Sequence, residues 1–288
     1  MHRKYLTPEE IKKLTLNEHL ELLIETKTPL YTPDNTKCIH CLYYDWTGWV
    51  SQKAVFPNTI SEAVEYCTPL WMNDGFKIKK WNVKNDIIQI LFEVKPEIAP
   101  VLLTKRVKGR LDNALRKLGT PVKFSRKVGF RCLGENTREI VNNYVMKQVS
   151  KSDYVDERFK KSLSEFTFLN KDTDLSQPFV AAHGRYWVNI HLVIVVEDRR
   201  FPITRKDNFE KIKELCFKIA NKKEIEIARL SIMPDHIHIT LKGNPMMSPI
   251  DIGCSFLSNL AYLLGNNRCW SSEFYVGTFS EYSVHKLI

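Results

Sequence analysis

The order of apolar and polar positions along the chain repeats once. A strand is predicted where apolar residues alternate with polar ones, and a helix where they recur every three or four positions. In the first half these patterns predict strand 38–49, helix 60–71, strands 76–81 and 87–94, helix 98–118 and strand 128–133. In the second half they predict strand 186–196, helix 208–222, strands 224–232 and 236–242, helix 249–264 and strand 273–279. Both halves therefore have the element order βαββαβ.

Equivalent positions of the two halves keep a nearly constant separation. Ile87 and His236 are 149 positions apart (236 minus 87), and Gly134 and Ser280 are 146 apart (280 minus 134). We interpret this as an internal duplication and predict an α+β protein of two ferredoxin-like (βαββαβ) units with antiparallel sheets, in tandem. The predicted boundaries are a helical N-terminal extension (1–36), a first unit (37–150), a connector (151–178) and a second unit (179–288).

The composition is that of a globular chain with an excess of positive charge. Its 288 residues are 43% apolar and carry a formal net charge of +10. Residues 1–150 hold 24 lysines and arginines against 16 acids, and the remainder holds 19 against 17, so a polyanionic partner is predicted for the first half. No apolar run approaches the ~20 residues of a membrane span. The seven cysteines, an odd number, favour reduced thiols, so we expect a cytoplasmic, nucleoid-associated protein with no membrane partner.

Two histidines lie two positions apart at the start of a predicted strand in the second half. The segment is Pro-Asp-His-Ile-His-Ile, residues 234–239. Side chains two apart on a strand share a face, so His236 and His238 can point at one metal ion while Ile237 faces the core. The first half has Ile87 and Gln89 at the equivalent positions. Only the second half is therefore expected to bind an ion in this way.

A tyrosine and a glutamine lie four positions apart in the first half. A helix is predicted over 137–149, directly after the last strand, and Tyr144 and Gln148 share one of its faces. In the second half the sequence reaches Ile288, two positions before the equivalent of Tyr144. A second helix of this kind is therefore not expected, and each half has one part of a possible site.

Together these features resemble the HUH-type single-tyrosine transposases of the insertion sequence 200/605 group and their repetitive-element-associated relatives. The matching segments are 130–134, 140–148, 233–238 and 270–278. The resemblance implies a ferredoxin-like domain that carries the histidine pair, followed by a helix with a tyrosine and a glutamine four residues later. Family members usually hold both parts in one domain and are commonly dimers. Here the parts are divided between the halves, which implies a fused pseudo-dimer with one composite site.

The resemblance also implies the chemistry. It predicts a metal-dependent endonuclease and strand transferase, a transposase, acting on single-stranded DNA that contains hairpins. Tyr144 would be the catalytic nucleophile that becomes linked to a 5′-phosphate, and His236, His238 and Gln148 would bind the metal. A phenol of pKa ~10 is a poor nucleophile at neutral pH unless the charge of the phosphate is neutralised. The mixed nitrogen and oxygen ligands suit Mg²⁺ or Mn²⁺.

One predicted helix concentrates positive charge ahead of the tyrosine. The cations of helix 98–118 that we predict to contact DNA phosphates are Lys105, Arg106, Lys108, Arg110, Arg116 and Lys117. The equivalent segment of the second half, 252–264, has no lysine or arginine. The same charges are equally typical of a solvated helix face.

Two other functions remain open on the sequence. A catalytically inactive, domesticated protein that binds nucleic-acid hairpins is expected if Tyr144 lies more than ~10 Å from the histidines. A replication initiator or relaxase-like nickase would carry a third histidine or a second tyrosine. The sequence does not define the DNA target, the native metal or any oligomerisation beyond the pseudo-dimer.

Overall fold

The computed structural model describes residues 29–51, 54–151, 157–199, 203, 205–264 and 269–286. The strands in these ranges are β1 Lys37–Cys41, β2 Tyr43–Val50, β3 Phe76–Lys84, β4 Ile87–Val94, β5 Phe124–Leu133, β6 Thr167–Leu169, β7 Phe179–Ala181, β8 Gly184–Trp187, β9 Asn189–Val196, β10 Glu226–Ile232, β11 His236–Lys242 and β12 Trp270–Thr278. The helices are α1 Ile60–Asn73, α2 Pro100–Lys117, α3 Arg138–Met146, α4 Gln148–Lys151, α5 Glu157–Ser164, α6 Lys206–Lys222 and α7 Pro249–Leu263, with short 3-10 turns at Glu197–Arg199 and Val284–Lys286.

The strands form two six-stranded sheets. The first has the order β3-β4-β2-β5-β8-β7 and the second β1-β12-β9-β11-β10-β6. Four strands of each sheet, β3-β4-β2-β5 and β10-β11-β9-β12, are antiparallel throughout. Helices α1 and α2 pack on one face of the first sheet, and α6 and α7 on one face of the second. The protein is therefore a mixed α+β protein with two largely antiparallel sheets, each with one face free of these helices.

Each sheet receives a strand from the other half of the chain, which the sequence did not predict. Predicted strand 38–49 is two strands: β1 lies parallel to β12 in the second sheet, and β2 lies in the first, with only Leu42 between them. Predicted strand 186–196 is divided at Val188 into β8, parallel to β5 in the first sheet, and β9 in the second. Leu42 and Val188 are both buried, so apolar residues continue through each junction and hide the break. A pattern of apolar positions reports burial and not which sheet a strand joins.

The backbone pairings of the two sheets are related by the sequence offset. The corresponding pairs are Arg131↔Trp187 with Gly277↔Cys41, and Gly134↔Ser283 with Ser280↔Thr137. In both comparisons the shift is 146 positions (277 minus 131, and 280 minus 134). The two halves therefore share their hydrogen-bonded register as well as their order of elements.

The segments outside the two predicted units contribute to the second sheet. Strand β6, inside the predicted connector, pairs with β10. Most of the predicted N-terminal extension, residues 1–28, lies outside the described residues. At its end, Tyr31 is buried and its hydroxyl donates a hydrogen bond to the Trp270 carbonyl at 2.7 Å. No helix in the part of the chain that the structure describes is long and apolar enough to cross a membrane.

Gly134 lies where the chain leaves the first sheet and crosses to the second. A Cβ at this position would overlap the carbonyl oxygen of Thr278 and lie 2.9 Å from the Cα of Phe279, and backbone atoms cannot move aside alone. We expect Gly134→Ala to lower the free energy of unfolding by about 2 kcal/mol or more, measured by urea denaturation. Gly109→Ala is the control, because a Cβ there on α2 would have nothing within 4 Å. Gly109→Ala should raise the free energy of unfolding by about 0.5–1 kcal/mol. If both substitutions lowered the free energy of unfolding equally, the close approach of Gly134 to Thr278 and Phe279 would be contradicted.

Candidate active site

Helix α3 belongs to the first half of the chain but starts beside the second sheet. Two isolated bridges, Gly134↔Ser283 and Thr137↔Ser280, join the segment after β5 to the segment after β12. The backbone N–H of Arg138 donates a hydrogen bond to the Ser280 carbonyl at 2.6 Å. The Arg138 guanidinium forms a 3.0 Å ion pair with Glu281. These contacts fix the first turn of α3 over the helix-free face of the second sheet.

The apolar side of α3 determines the direction of Tyr144. Val141 and Val145 are buried, and Val141 packs with Ala228 of β10 and with Phe279. Burying a valine contributes roughly 1.5–3 kcal/mol, so this packing sets the rotation of the helix about its axis. Tyr144 stays 42% exposed and lies over β11.

Tyr144 and the two predicted histidines meet in one cluster. The ring centroids of Tyr144 and His238 are 5.3 Å apart, with the rings nearly perpendicular. His236 and His238 have ring centroids 4.9 Å apart. Ile237, between them, is fully buried on the side of α6 and α7, as the strand alternation predicted. Residues that lie 92 positions apart in the sequence (236 minus 144) are therefore brought together at one site.

Each histidine of the pair is oriented through its Nδ1 atom. Nδ1 of His236 lies 2.6 Å from the Asp235 carboxylate. Nδ1 of His238 lies 3.1 Å from Nε2 of His191, and the two rings are stacked. Burial lowers the pKa of His191 to about 4, so this ring is neutral at physiological pH. A neutral ring beside the pair adds no positive charge that would oppose a cation.

His191 is the functional residue that the sequence did not reveal. It lies on β9, opposite Thr240 of β11, two positions along from the pair Val193↔His238. Antiparallel pairing of β9 with β11 brings His191 diagonally next to His238 on the same face. Predicting that His191 joins the site requires the register of β9 against β11, and neither strand's own sequence encodes that register.

Gln148 lies near Tyr144, but the predicted helix does not continue to it. Helix α3 ends at Met146, and Gln148 begins the separate short helix α4. The prediction of one continuous helix over 137–149 was therefore wrong. The Nε2 atom of Gln148 donates a 2.8 Å hydrogen bond to the carbonyl oxygen of Tyr144. Gln148 is 7% exposed, so the amide is held inside the site despite the break.

The donors available to a metal ion are few. Among the described residues, no group of three or more His, Cys, Asp and Glu side chains is arranged to hold an ion. The candidate ligands at this site are the imidazoles of His236 and His238 and the amide of Gln148. All three line one cavity of about 670 Å³ together with Tyr144. Two imidazoles with an amide oxygen and open positions fit a divalent ion that also binds phosphate oxygens.

A second phenol, that of Tyr275, lines the same cavity. Its ring centroid lies 6.0 Å from that of His191. Burial raises the pKa of Tyr275 to about 12. Because a phenol must lose its proton to attack, this burial disfavours Tyr275 as a nucleophile.

The six predicted DNA-binding cations lie on α2, on the other side of the first sheet from its helix-free face. Arg106 and Arg110 both pair with Asp74, and Arg116 pairs with Asp112. Lys108 donates to the Ser125 carbonyl and Lys117 to the Tyr66 hydroxyl. Lys105, Lys108 and Arg116 line a groove of about 720 Å³ together with Lys123. Their contact with DNA stays a prediction.

Comparison with known proteins found a family model and a solved structure to which parts of this chain are similar. Residues 185–287 match the family model described as "Transposase IS200 like". A solved structure, that of a putative transposase from Deinococcus radiodurans R1, is similar at 19% identity with a TM-score of 0.30, covering 34% of this chain and 84% of that one. No curated protein matches.

The matched segment is therefore similar to DNA-processing enzymes of the transposase type. The segment that carries β9, the histidine pair and β12 is similar to IS200-like transposases, so the resemblance predicted from the sequence is confirmed over these residues. The family model covers only the second half of the chain.

Proposed function

We propose that the protein is a metal-dependent single-stranded DNA endonuclease and strand transferase with one composite active site. Tyr144 comes from the first half of the chain, and His236 and His238 come from the second. The observation that carries the proposal is the 5.3 Å separation between the rings of Tyr144 and His238. A hairpin-binding protein without activity would not need this approach, and the separation is well inside the ~10 Å beyond which the two groups could not meet one phosphate.

The shared strand register supports an internal pseudo-dimer of two ferredoxin-like units. Each half presents the same four-stranded order; the first lends β1 to the second sheet, and the second lends β8, with β7 paired to it, to the first. Helix α3 of the first half lies over the histidines of the second. In a dimer, one subunit would place its tyrosine helix beside the histidines of its partner in the same way. The proposed enzyme therefore holds within one chain the arrangement that a dimer builds from two.

The two histidines and Gln148 would hold Mg²⁺ or Mn²⁺. Because Nδ1 of both rings is engaged, by Asp235 and His191, an ion would be ligated through the two Nε2 atoms. Such an ion neutralises charge on the scissile phosphate and orients it. The chain's own contribution is the fixed orientation of both rings.

Tyr144 is the nucleophile in this proposal. Its phenolic oxygen attacks phosphorus, and the bond between phosphorus and the 3′-oxygen breaks as the new bond forms. The phenolic proton ends on the departing 3′-oxygen, which leaves a free 3′-hydroxyl and a 5′-phosphotyrosine. The ester keeps the energy of the phosphodiester, so a later attack by a 3′-hydroxyl joins strands without a nucleotide triphosphate.

The proposal is tested by incubating the protein with a labelled single strand containing a hairpin, after dialysis against EDTA and with or without added Mn²⁺. We expect a covalent protein–DNA adduct only when the metal is restored, and mass spectrometry should locate it on the peptide containing Tyr144. A pool of hairpins with randomised flanks removes the need to know the target. An adduct that forms equally well in EDTA, or that maps to Tyr275, would contradict the mechanism.

A further inference from the structure

The helix-free face of the first sheet has a cavity of its own. It measures about 560 Å³, within the range of ~300–1,000 Å³ common for small-molecule sites. We call it the first-sheet pocket, and the residues on which the argument rests are Asp45, Thr47, Gln89, Gly129, Arg131, Trp187 and Tyr282. It is separate from the Tyr144 site, which lies on the second sheet.

Strand register makes the first-sheet pocket the counterpart of the active-site cavity. Asp45 occupies the position of His191 (191 minus 45 is 146), and Gln89 that of His238 (238 minus 89 is 149). The ring that orients His238 is thus replaced by a carboxylate, and His238 itself, a ligand of the proposed ion, by an amide. Gly129 occupies the position equivalent to Tyr275 (275 minus 129 is 146). The tyrosine side chain that lines the active-site cavity therefore has no counterpart in the first-sheet pocket.

One wall of the pocket is a stack of aromatic rings and a guanidinium. The guanidinium carbon of Arg131 lies 4.4 Å from the centroid of the Trp187 ring. It lies 5.8 Å from the centroid of the Tyr282 ring. Tyr282 is 54% exposed, so part of its ring is accessible to a ligand. Aromatic faces and guanidinium planes are the surfaces on which unpaired bases stack.

The floor of the pocket is polar and suited to the edge of a base. Asp45 lies directly opposite Arg131 across β2 and β5. The Thr47 hydroxyl donates to the Asp45 carboxylate at 3.4 Å, and the Gln89 amide donates to Thr47 at 3.5 Å. Both bonds are long, so the carboxylate retains capacity to accept stronger ones from a ligand. Burial raises the pKa of Asp45 to about 6, the expected cost of keeping a carboxyl group in such a place.

We propose that the first-sheet pocket binds one unpaired nucleotide of the single-stranded DNA on which the enzyme acts. The base stacks on the wall of Arg131, Trp187 and Tyr282, and its N–H groups donate to Asp45. Lys80, on β3, also lines the pocket and adds a positive charge to it. The proposal rests on the proposed function in its choice of ligand. The first sheet, which has no tyrosine helix over its helix-free face, thereby positions the strand that is cut at the second sheet.

The first experiment measures binding and excludes cleavage. All variants are made in a Tyr144→Phe background and assayed in EDTA by fluorescence anisotropy with a labelled single strand of about 20 nucleotides and mixed sequence. Tyr282→Ala should weaken binding about 10-fold, the factor for one lost stacked base, while Tyr282→Phe should bind as the parent does. Equal affinities of Tyr282→Ala and Tyr282→Phe would overturn the stacking wall.

A matched set separates stacking from charge. Arg131→Lys keeps the charge but loses the planar group, and we expect it to weaken binding nearly as much as Arg131→Ala. Lys211→Ala removes an exposed charge on α6, behind the second sheet, and should have little effect. If Arg131→Lys binds normally while Lys211→Ala and Arg131→Ala lose affinity equally, the contribution is general electrostatics and the pocket proposal fails. Thermal melting of each variant verifies that it is folded.

The carboxylate is tested by base preference. Oligo(dA) and oligo(dC), whose bases carry an exocyclic amino group, should compete better than oligo(dT), and Asp45→Asn should reduce that difference. The same preference in Asp45→Asn and the parent would remove Asp45 from base recognition and overturn this part of the proposal. Tighter binding of duplex than of single strands would overturn the ligand class.

Failure of this proposal and failure of the proposed function are distinguishable. If the wild-type protein forms no adduct but the binding pattern holds, the pocket stands and the nuclease does not. If the adduct forms and the Tyr282 and Arg131 variants bind normally, the nuclease stands and the pocket does not.

Discussion

Tyr144→Phe should abolish adduct formation and strand cleavage, lowering the rate by about 10⁴-fold or more. Phenylalanine retains the ring that packs at right angles to His238 but lacks the oxygen that would attack phosphorus. The free energy of unfolding should change little, because Tyr144 is 42% exposed. The measurement is single-turnover cleavage of a labelled hairpin strand in Mn²⁺, with the adduct resolved on a denaturing gel.

Tyr66→Phe is the matched control for this substitution. Tyr66 is 46% exposed, nearly the same as Tyr144, but it lies on α1 against Lys117, away from the histidines. It should cleave at the parental rate within about twofold, as expected for a surface substitution. Cleavage that survives in Tyr144→Phe would assign the attack to another group and end the proposed mechanism.

His236→Ala and His238→Ala should each lower cleavage by about 10³-fold, because each would remove one of the few ligands of the proposed ion. Mn²⁺ binding, followed by electron paramagnetic resonance of the free ion, should weaken in parallel. His238→Ala should also cost stability, since His238 is 4% exposed and its loss leaves buried His191 without its 3.1 Å contact. His236→Ala should lower activity with less effect on stability, because the His236 side chain is 16% exposed.

His183→Ala provides the comparison. His183 is exposed, and its carbonyl accepts a hydrogen bond from Val128, a contact that alanine preserves. Neither cleavage nor Mn²⁺ affinity should change. Normal Mn²⁺ binding by both His236→Ala and His238→Ala would show that the pair does not hold the ion.

Three members of the Tyr144 cluster, Tyr144, His236 and His238, were accessible from the sequence because their signals are local. Alternation places Ile237 in the core and both imidazoles on the other face, and that holds whatever the strand pairs with. The helix carrying Tyr144 follows from its apolar spacing, although its end at Met146 does not. Helix ends depend on local hydrogen bonding, which apolar periodicity does not report.

What the sequence could not supply is non-local. His191 becomes part of the cluster only through the register of β9 against β11. The division of two predicted strands at Leu42 and Val188 depends on the approach of the two sheets. The first-sheet pocket likewise requires Tyr282 and Arg131, 151 positions apart (282 minus 131), to be neighbours. Each of these follows from pairing between distant segments, for which one sequence holds no direct signal.

The two exchanged strands have a mechanical consequence. Because β1 and β8 are hydrogen-bonded in one sheet and continue within two residues into the other, a rotation of one sheet against the other would break both ladders at once. No hinge of a few residues can absorb such a movement. The phenol and the imidazoles are therefore preorganised by folding, and their approach costs nothing further when the substrate arrives.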